Sequence, residues 1–336
     1  MISFVFKNEI KQRLIKKVSE NTTNRGFMTT LKDVLCVKNA HPRDEFIQFQ
    51  EEGHKYTITN DLESKYTSVT TWNHGHFPKF DADVIIDKMM KGRNWKPGHK
   101  YWGLTKDQIK QQWEFNAKSV SGAGTEMHFQ IECFMNNDEI AYPYSQEDLL
   151  KHYETTKDEE KEETLEWKYF LKFVKEFQEF KPYRTEWLIY DEDLKLSGSI
   201  DMVYENPDGT LTIYDWKRSK GISPVNSFNK YAETDCINHM PDSNFWHYSL
   251  QLNTYKAILE RKYNKKITCL RLVRIHPNCE DETYELINVP DLKREVEKLF
   301  ALRESELRGE TSIPEKTPKI GQVKQSQINA FFGASK

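Results

Sequence analysis

One stretch constrains the fold more than any other. From Arg184 to Lys217 the chain runs through "RTEWLIY", "LKLSGSIDMVYE" and "TLTIYDWK". Each run is rich in β-branched and aromatic residues and reads as a strand. The second and third are joined by Asn206-Pro207-Asp208-Gly209, a strong hairpin signal. A helical run, "NFWHYSLQLNTYKAILERKY", comes next, followed by another strand, "ITCLRLVRIH". Upstream, "LEWKYFLKFVKEFQEF" has helical spacing. The order helix, three strands, helix, strand predicts an α/β core built on one sheet.

The rest of the chain is longer than one small domain needs, at 336 residues in all. Charged residues make up 30% of it yet nearly cancel, to −3, so any surface for a polyanion must be local. The five cysteines (Cys36, Cys133, Cys236, Cys269, Cys279) form no CxxC pair. That argues against a zinc site, an iron–sulfur cluster or a secreted disulfide framework. The odd count and the lack of a signal-peptide pattern point to a reducing, intracellular setting. No run approaches ~18 apolar residues, so no membrane span is expected.

"FKNEIKQRLIKKVSE" (residues 6–20) reads as an amphipathic helix, and "GHKYTITNDLESKYTSVTTW" as a β-hairpin around a polar turn. "FPKFDADVIIDKMMKG" reads as a capped helix. "LTKDQIKQQWEFNAKSVSGAGTEMHFQIECFMN" supplies two more, with Gly122 and Gly124 between or within them. Residues 146–166 are dense in Glu and Asp and read as a solvated insertion. The segment after Gly309 lacks periodicity and reads as a flexible linker.

The third strand ends Asp215-Trp216-Lys217. Side chains alternate along a strand, so Asp215 and Lys217 share one face and Trp216 takes the other. Trp216 can then pack into the core while its carbonyl stays near the Asp–Lys face. Asp201 closes the preceding strand's apolar run, and in a hairpin it can lie beside Asp215. Two adjacent carboxylates repel unless a cation separates them. A hard ion such as Mg²⁺ suits them, because it prefers oxygen ligands. A neighbouring lysine could assist a water or stabilise charge on a phosphate, the apparatus of metal-assisted phosphodiester hydrolysis. The plainer alternative is a surface hairpin with an Asp–Lys ion pair.

Two helical pairs add to this. His128 and Glu132 are four apart in "GTEMHFQIE", on one helical face, and His128 could give a metal an imidazole. Gln251 and Tyr255 are also four apart, in "QLNTY". Read alone, either pair is ordinary helix decoration.

Together, G-x-x-x-H (Gly124, His128), G-x-x-D (Gly198, Asp201), D-x-K (Asp215, Lys217) and Q-x-x-x-Y (Gln251, Tyr255) resemble the PD-(D/E)XK nuclease superfamily. The order and "YTSVTTW" look like its RecB-like exonuclease branch, which includes the mitochondrial genome maintenance exonuclease and large-DNA-virus relatives. The likeness runs roughly from residue 54 to 275. It implies a restriction-endonuclease-like α/β core, a central mixed sheet flanked by helices, with helical N-terminal additions. It further implies that Asp201, Asp215, the Trp216 carbonyl and His128 hold Mg²⁺ or Mn²⁺. Lys217 would be the catalytic lysine, Gln251 and Tyr255 would act at the DNA, and Glu186 and Glu132 would be neighbours of the site. The second acid is Asp215 where Glu is also common, and the iron–sulfur cysteines of some relatives are missing.

"KGRNWKPGHKYWG" interleaves Lys91, Arg93, Lys96 and Lys100 with Trp95, Tyr101 and Trp102. Cations for phosphates and rings for bases are what single-strand binding needs. Near the end, "QSQINAFF" fits Q-x-x-[I/L/M]-x-x-F-F and looks like the PIP-box that docks into the sliding clamp PCNA. Ile328, Phe331 and Phe332 would fill an apolar pocket from one helical turn, with Gln325 in a polar one.

The sequence thus predicts an N-terminal extension at 1–50, a nuclease domain at 51–308, and a tail at 309–336 with the PIP-box at 325–332. The expected activity is a metal-dependent DNA exonuclease on single strands or flaps, monomeric and off the membrane. Its expected setting is nuclear or a viral replication compartment, with the mitochondrion a lesser alternative. A structure-specific endonuclease and a non-catalytic clamp-bound factor are the competing readings.

Overall fold

The computed structural model describes residues 34–50, 52–136, 164–226 and 228–310. The amphipathic run at 6–20, most of the acidic stretch and the PIP-box at 325–332 lie outside them. A short helix, α1 (Val34–Lys38), and a 3-10 turn (Pro42–Phe46) lead into β1 (Ile47–Gln50) and β2 (Lys55–Ile58). Next come β3 (Thr67–Ser68), α2 (Val69–His74), α3 (Ala82–Met90) and the long α4 (Lys106–Asn136). Then α5 (Leu165–Glu176) precedes β4 (Lys181–Asp191), β5 (Leu196–Glu205) and β6 (Leu211–Lys217). The helix α6 (Asn244–Lys262), β7 (Ile267–Arg274), β8 (Glu285–Asn288) and α7 (Lys293–Leu307) follow.

A six-stranded mixed sheet carries the fold. Its neighbours run β3, β5, β6, β7, β8, with β4 also on β5. β4, β5 and β6 are antiparallel. The expected turn closes β5 onto β6: the Asn206 amide donates to the Thr210 carbonyl at 2.8 Å. Gly209 there takes a φ of +78°, the left-handed conformation that glycine adopts at least cost. β6 and β7 are parallel because α6 carries the chain back to the sheet's starting end.

Helices cover both faces. On one, Leu211, Ile213, Leu270 and Leu272 pack with Leu250, Ile258 and Leu259 of α6 and Leu299 and Phe300 of α7. On the other, Tyr204, Tyr214, Trp216 and Val273 meet Ile131 and Phe134 of α4 and Phe170 and Phe173 of α5. Burial of these side chains is worth roughly 1.5–3 kcal/mol each, which makes the two clusters the main support of the sheet.

Three expectations change. The hairpin expected between residues 54 and 72 does not form. β2 pairs with β1 instead, Ile47 opposite Ile58, so the expected boundary at residue 50 runs through a hairpin. "YTSVTTW" becomes a two-residue strand parallel to β5 and then a helix, because Ser68 caps α2 by accepting from the Thr71 amide. The two helices expected before residue 137 are one, α4, continuous through Gly122 and Gly124. Glycine weakens a helix by about 1 kcal/mol but keeps its backbone hydrogen bonds.

Candidate active site

The sheet opens where the acidic residues stand. The β5–β6 ladder ends at Met202 opposite Tyr214. The next pair along would be Asp201 and Asp215. There the strands part, and β3 takes up β5 further on, at Leu196 and Ser197. The Asp201 carboxylate fills the split by accepting from the Trp216 amide at 3.0 Å. A carboxylate therefore stands where a backbone carbonyl would otherwise close the ladder.

Trp216 divides its work as its alternation predicts. Its ring is buried, edge-on to Phe170 at 5.7 Å and Phe173 at 5.3 Å. Its carbonyl turns the other way and lies 2.9 Å from Nε2 of His128. α4 thereby delivers its imidazole to the strand's edge. The other ring nitrogen, Nδ1, faces two carboxylates, Asp201 at 3.6 Å and Glu186 at 3.8 Å.

The electrostatics follow from this crowding. Burial pushes both Asp201 and Asp215 up: at Asp201, His128 and Lys217 oppose it while Glu186 adds to it, and at Asp215, which reaches about 7, Lys217 opposes it while Asp201 adds to it. Burial opposes a charge on His128, but Asp201 and Glu186 outweigh it and hold the imidazole up at about 9. Burial likewise opposes the Lys217 ammonium, yet Asp215 and Asp201 lift it above its ordinary range. Lys217 Nζ sits 2.6 Å from Asp215 and 4.8 Å from the ring centre of Tyr248. A lysine held this firmly charged serves as a fixed cation and not as a base.

One donor group fits a hard divalent cation on its own geometry. Ligand atoms of His128, Glu186 and Asp201 all lie within 4.8 Å of one another. The Trp216 carbonyl borders the same imidazole. Carboxylate and carbonyl oxygens with one imidazole suit Mg²⁺ or Mn²⁺. Asp215 adjoins this group through Asp201 but points its Oδ2 at Lys217.

Glu186 was expected only as a neighbour. In the structure it stands in mid-strand with φ +40°, left-handed for a residue with a Cβ. That costs roughly 1–2 kcal/mol. Ser199 Oγ donates to its Oε2 at 2.8 Å. Glu132, the other neighbour expected from sequence, is half-buried one turn beyond His128 and is not in the convergent group.

Tyr255 corrects the sequence reading. It is 3% exposed, so it is not a surface contact for DNA. Its ring lies against Gly198: a Cβ at that position would meet Cε1 at 2.7 Å. G-x-x-D and Q-x-x-x-Y are thus two halves of one packing contact that seats β5 on α6. Gln251 remains half-buried and donates to the Tyr255 hydroxyl at 3.1 Å and to Thr70 Oγ1 at 3.3 Å.

The basic, aromatic loop stands apart from this centre. Lys91, Arg93 and Lys100 are exposed. Trp95 is half-buried against His99 (5.0 Å) and Trp102 (5.7 Å). Lys106 opens α4 just after this loop, and His128 stands about six turns further on, about 33 Å along the axis. The sequence also missed Tyr56 and Tyr248. Burial raises both hydroxyls, with Glu186 and Asp201 adding to it at Tyr56, and Lys217 opposing it at Tyr248. Only an aromatic at a strand or helix position announces them, which is a signal shared with any core residue.

A sequence profile of the PD-(D/E)XK nuclease superfamily matches residues 132–318. That is more than half of the chain, and the chain belongs to this superfamily. Its members use divalent metals, as the donor set here accommodates. No curated protein matches the sequence. Among solved structures, the chain is similar to a Eubacterium rectale protein described as "Putative exonuclease". The two are 12% identical with a TM-score of 0.37, over 84% of this chain and 98% of that one. Among the described residues, no helix is long and apolar enough to cross a membrane.

Proposed function

We propose that this protein is a metal-dependent DNA exonuclease of the RecB-like branch, acting on single strands or flaps. The observation that carries the reading is the split between β5 and β6. It brings ligand atoms of His128, Glu186 and Asp201 within 4.8 Å of one another, with the Trp216 carbonyl on the other nitrogen of the imidazole and the Asp215–Lys217 pair at the next position of the sheet.

Asp201, Asp215, His128 and the Trp216 carbonyl would hold Mg²⁺ or Mn²⁺, which would supply Lewis-acid charge for phosphodiester hydrolysis. The residues of the chain do the rest. Lys217, pinned by Asp215 and the Tyr248 ring, presents a fixed positive charge to the phosphate as negative charge builds on it. Asp201, anchored by the Trp216 amide, holds β5 and β6 in register across the split. Gln251 has the exposure to reach the substrate, and Tyr255 positions it from beneath.

Lys91, Arg93, Lys100 and the rings of Trp95 and Trp102 form a second binding region along the approach to α4. Tyr101 of this loop accepts from Trp113 Nε1 at 3.0 Å, about 22 Å along α4 from His128, so a strand that stacks there and reaches the cleft runs along the helix. That favours an extended, single-stranded substrate over a short duplex end. The tail segment Gln325–Phe332 serves as a PIP-box, with Gln325, Ile328, Phe331 and Phe332 docking on PCNA. The enzyme then works as a monomer at replication or repair sites, in a nucleus or a viral replication compartment. The catalytic unit takes in α1 and β1, which pack with β4 and β2, and it ends near residue 308.

End-labelled linear and covalently closed circular single strands, each with Mg²⁺, Mn²⁺ or EDTA, test this reading. Degradation of the linear strand alone, abolished by EDTA, is expected. Cutting of the circle would make the enzyme an endonuclease, and no cutting of either would refute the proposed activity.

A further inference from the structure

Glu186 and Asp201 face each other across β4 and β5. The flanking pairs are Thr185 with Met202 and Trp187 with Ile200, so the register sets Glu186 and Asp201 at opposing positions, a pair that the ladder itself skips. Like charges directly opposite on antiparallel strands destabilise a sheet. Glu186 also takes a left-handed backbone that a glutamate adopts only under compulsion. Two unfavourable choices at one position need a common reason.

The backbone twist turns the Glu186 side chain toward α4. Ser199 Oγ then fixes Oε2, and Oε1 is left facing Nδ1 of His128. One oxygen is anchored and the other is presented, the arrangement of a monodentate ligand. His128, Glu186 and Asp201 bring their ligand atoms within 4.8 Å of one another without Asp215. Strain of this kind persists where the surrounding structure holds it for a purpose.

We infer that Glu186 is a metal ligand of this chain, forming with His128 and Asp201 a cation position on the α4 side of the split. This rests on the proposed metal-dependent function and extends it. The position takes a hard divalent cation and, because one donor is an imidazole, favours Mn²⁺ over Mg²⁺. Ser199 is its positioning residue, acting through Glu186. The strained strand is then the cost of aiming a third protein donor at the ion.

The experiment titrates Mn²⁺ into the full-length metal-free protein and reads bound ion by electron paramagnetic resonance, beside thermal unfolding in EDTA. Glu186→Gln keeps the bulk and removes the charge. Glu186→Gly removes both and suits the left-handed backbone. Both should bind Mn²⁺ at least tenfold more weakly than the wild type, and Glu186→Asp should recover part of the loss. Metal-free Glu186→Gly should melt about 2–4 °C higher, the shift expected from releasing strain in a domain of this size. Wild-type Mn²⁺ affinity in Glu186→Gln would overturn the ligand role. A lower melting temperature for metal-free Glu186→Gly would overturn the strain argument. If the wild type itself binds no Mn²⁺, the metal-dependent reading of the whole site fails first.

Discussion

Replacing Gly198 with alanine would drive a methyl group into Tyr255. The added Cβ would sit 2.7 Å from Cε1, 3.0 Å from the hydroxyl oxygen and 3.2 Å from Cζ. Carbon atoms prefer about 3.5–4.0 Å, so the clash approaches 1 Å. The ring has little room to yield. It is buried in the cluster between α6 and the sheet, and Gln251 holds its hydroxyl. Overpacking of this kind costs typically ~1–3 kcal/mol, and a rigid ring places this site near the top of that range. For a domain of this size the melting temperature should fall by about 4–6 °C. Asp201 lies three residues along the same strand, so displacement of β5 should also cut the cleavage rate at least tenfold. Circular dichroism melts and initial rates on a labelled single strand measure the two effects. Adding Tyr255→Leu should return part of the lost stability, with a coupling of about 1 kcal/mol or more in a double-mutant cycle. If Gly198→Ala melted within 1 °C of the wild type and cut at the wild-type rate, roughly speaking, the contact would not be the reason for the glycine.

Two further outcomes follow from the charges and the tail. The folded metal-free protein holds His128 at about 9 and Asp215 at about 7, both above their unfolded values. The folded state therefore binds more protons, and stability falls as pH rises through those values. Melting temperature in EDTA should drop from about pH 6 to about pH 9.5, and saturating Mn²⁺ should flatten or reverse the slope; a rise with pH in EDTA would contradict the assignment. Separately, Phe331→Ala with Phe332→Ala should abolish PCNA binding in a pull-down while leaving cleavage of free DNA unchanged, and retained binding would refute the PIP-box.

The strand-to-chemistry link was legible where alternation alone decides it. Asp215, Trp216 and Lys217 point as a strand must point them, and Asn206–Gly209 turns as its residues require. Superfamily membership was legible because four short motifs fell in order on the right elements. Two kinds of information were not local. Gln251 and Tyr255 share a helical face, but whether that face meets DNA or the sheet depends on what packs there. Gly198 is the partner that buries Tyr255, more than fifty residues away in the chain. Glu186 was legible only as a neighbour of the site, for another reason: strand periodicity assumes extended φ, and one left-handed residue redirects its side chain. The hairpin expected after Gly53 failed similarly, because β2 had two possible partners and the stronger apolar match, Ile47 with Ile58, prevailed.

The most direct test of the account compares three proteins on one substrate. Wild type, Asp215→Asn and Lys217→Ala are incubated with end-labelled single-stranded DNA and Mg²⁺ or Mn²⁺, after melts confirm that all three are folded. The account predicts stepwise degradation by the wild type and a loss of at least about 100-fold in both variants, the scale on which fixed transition-state charges act. Equal cleavage by all three would contradict it, because the carboxylate and the ammonium that the split sheet brings together would then have no part in the chemistry.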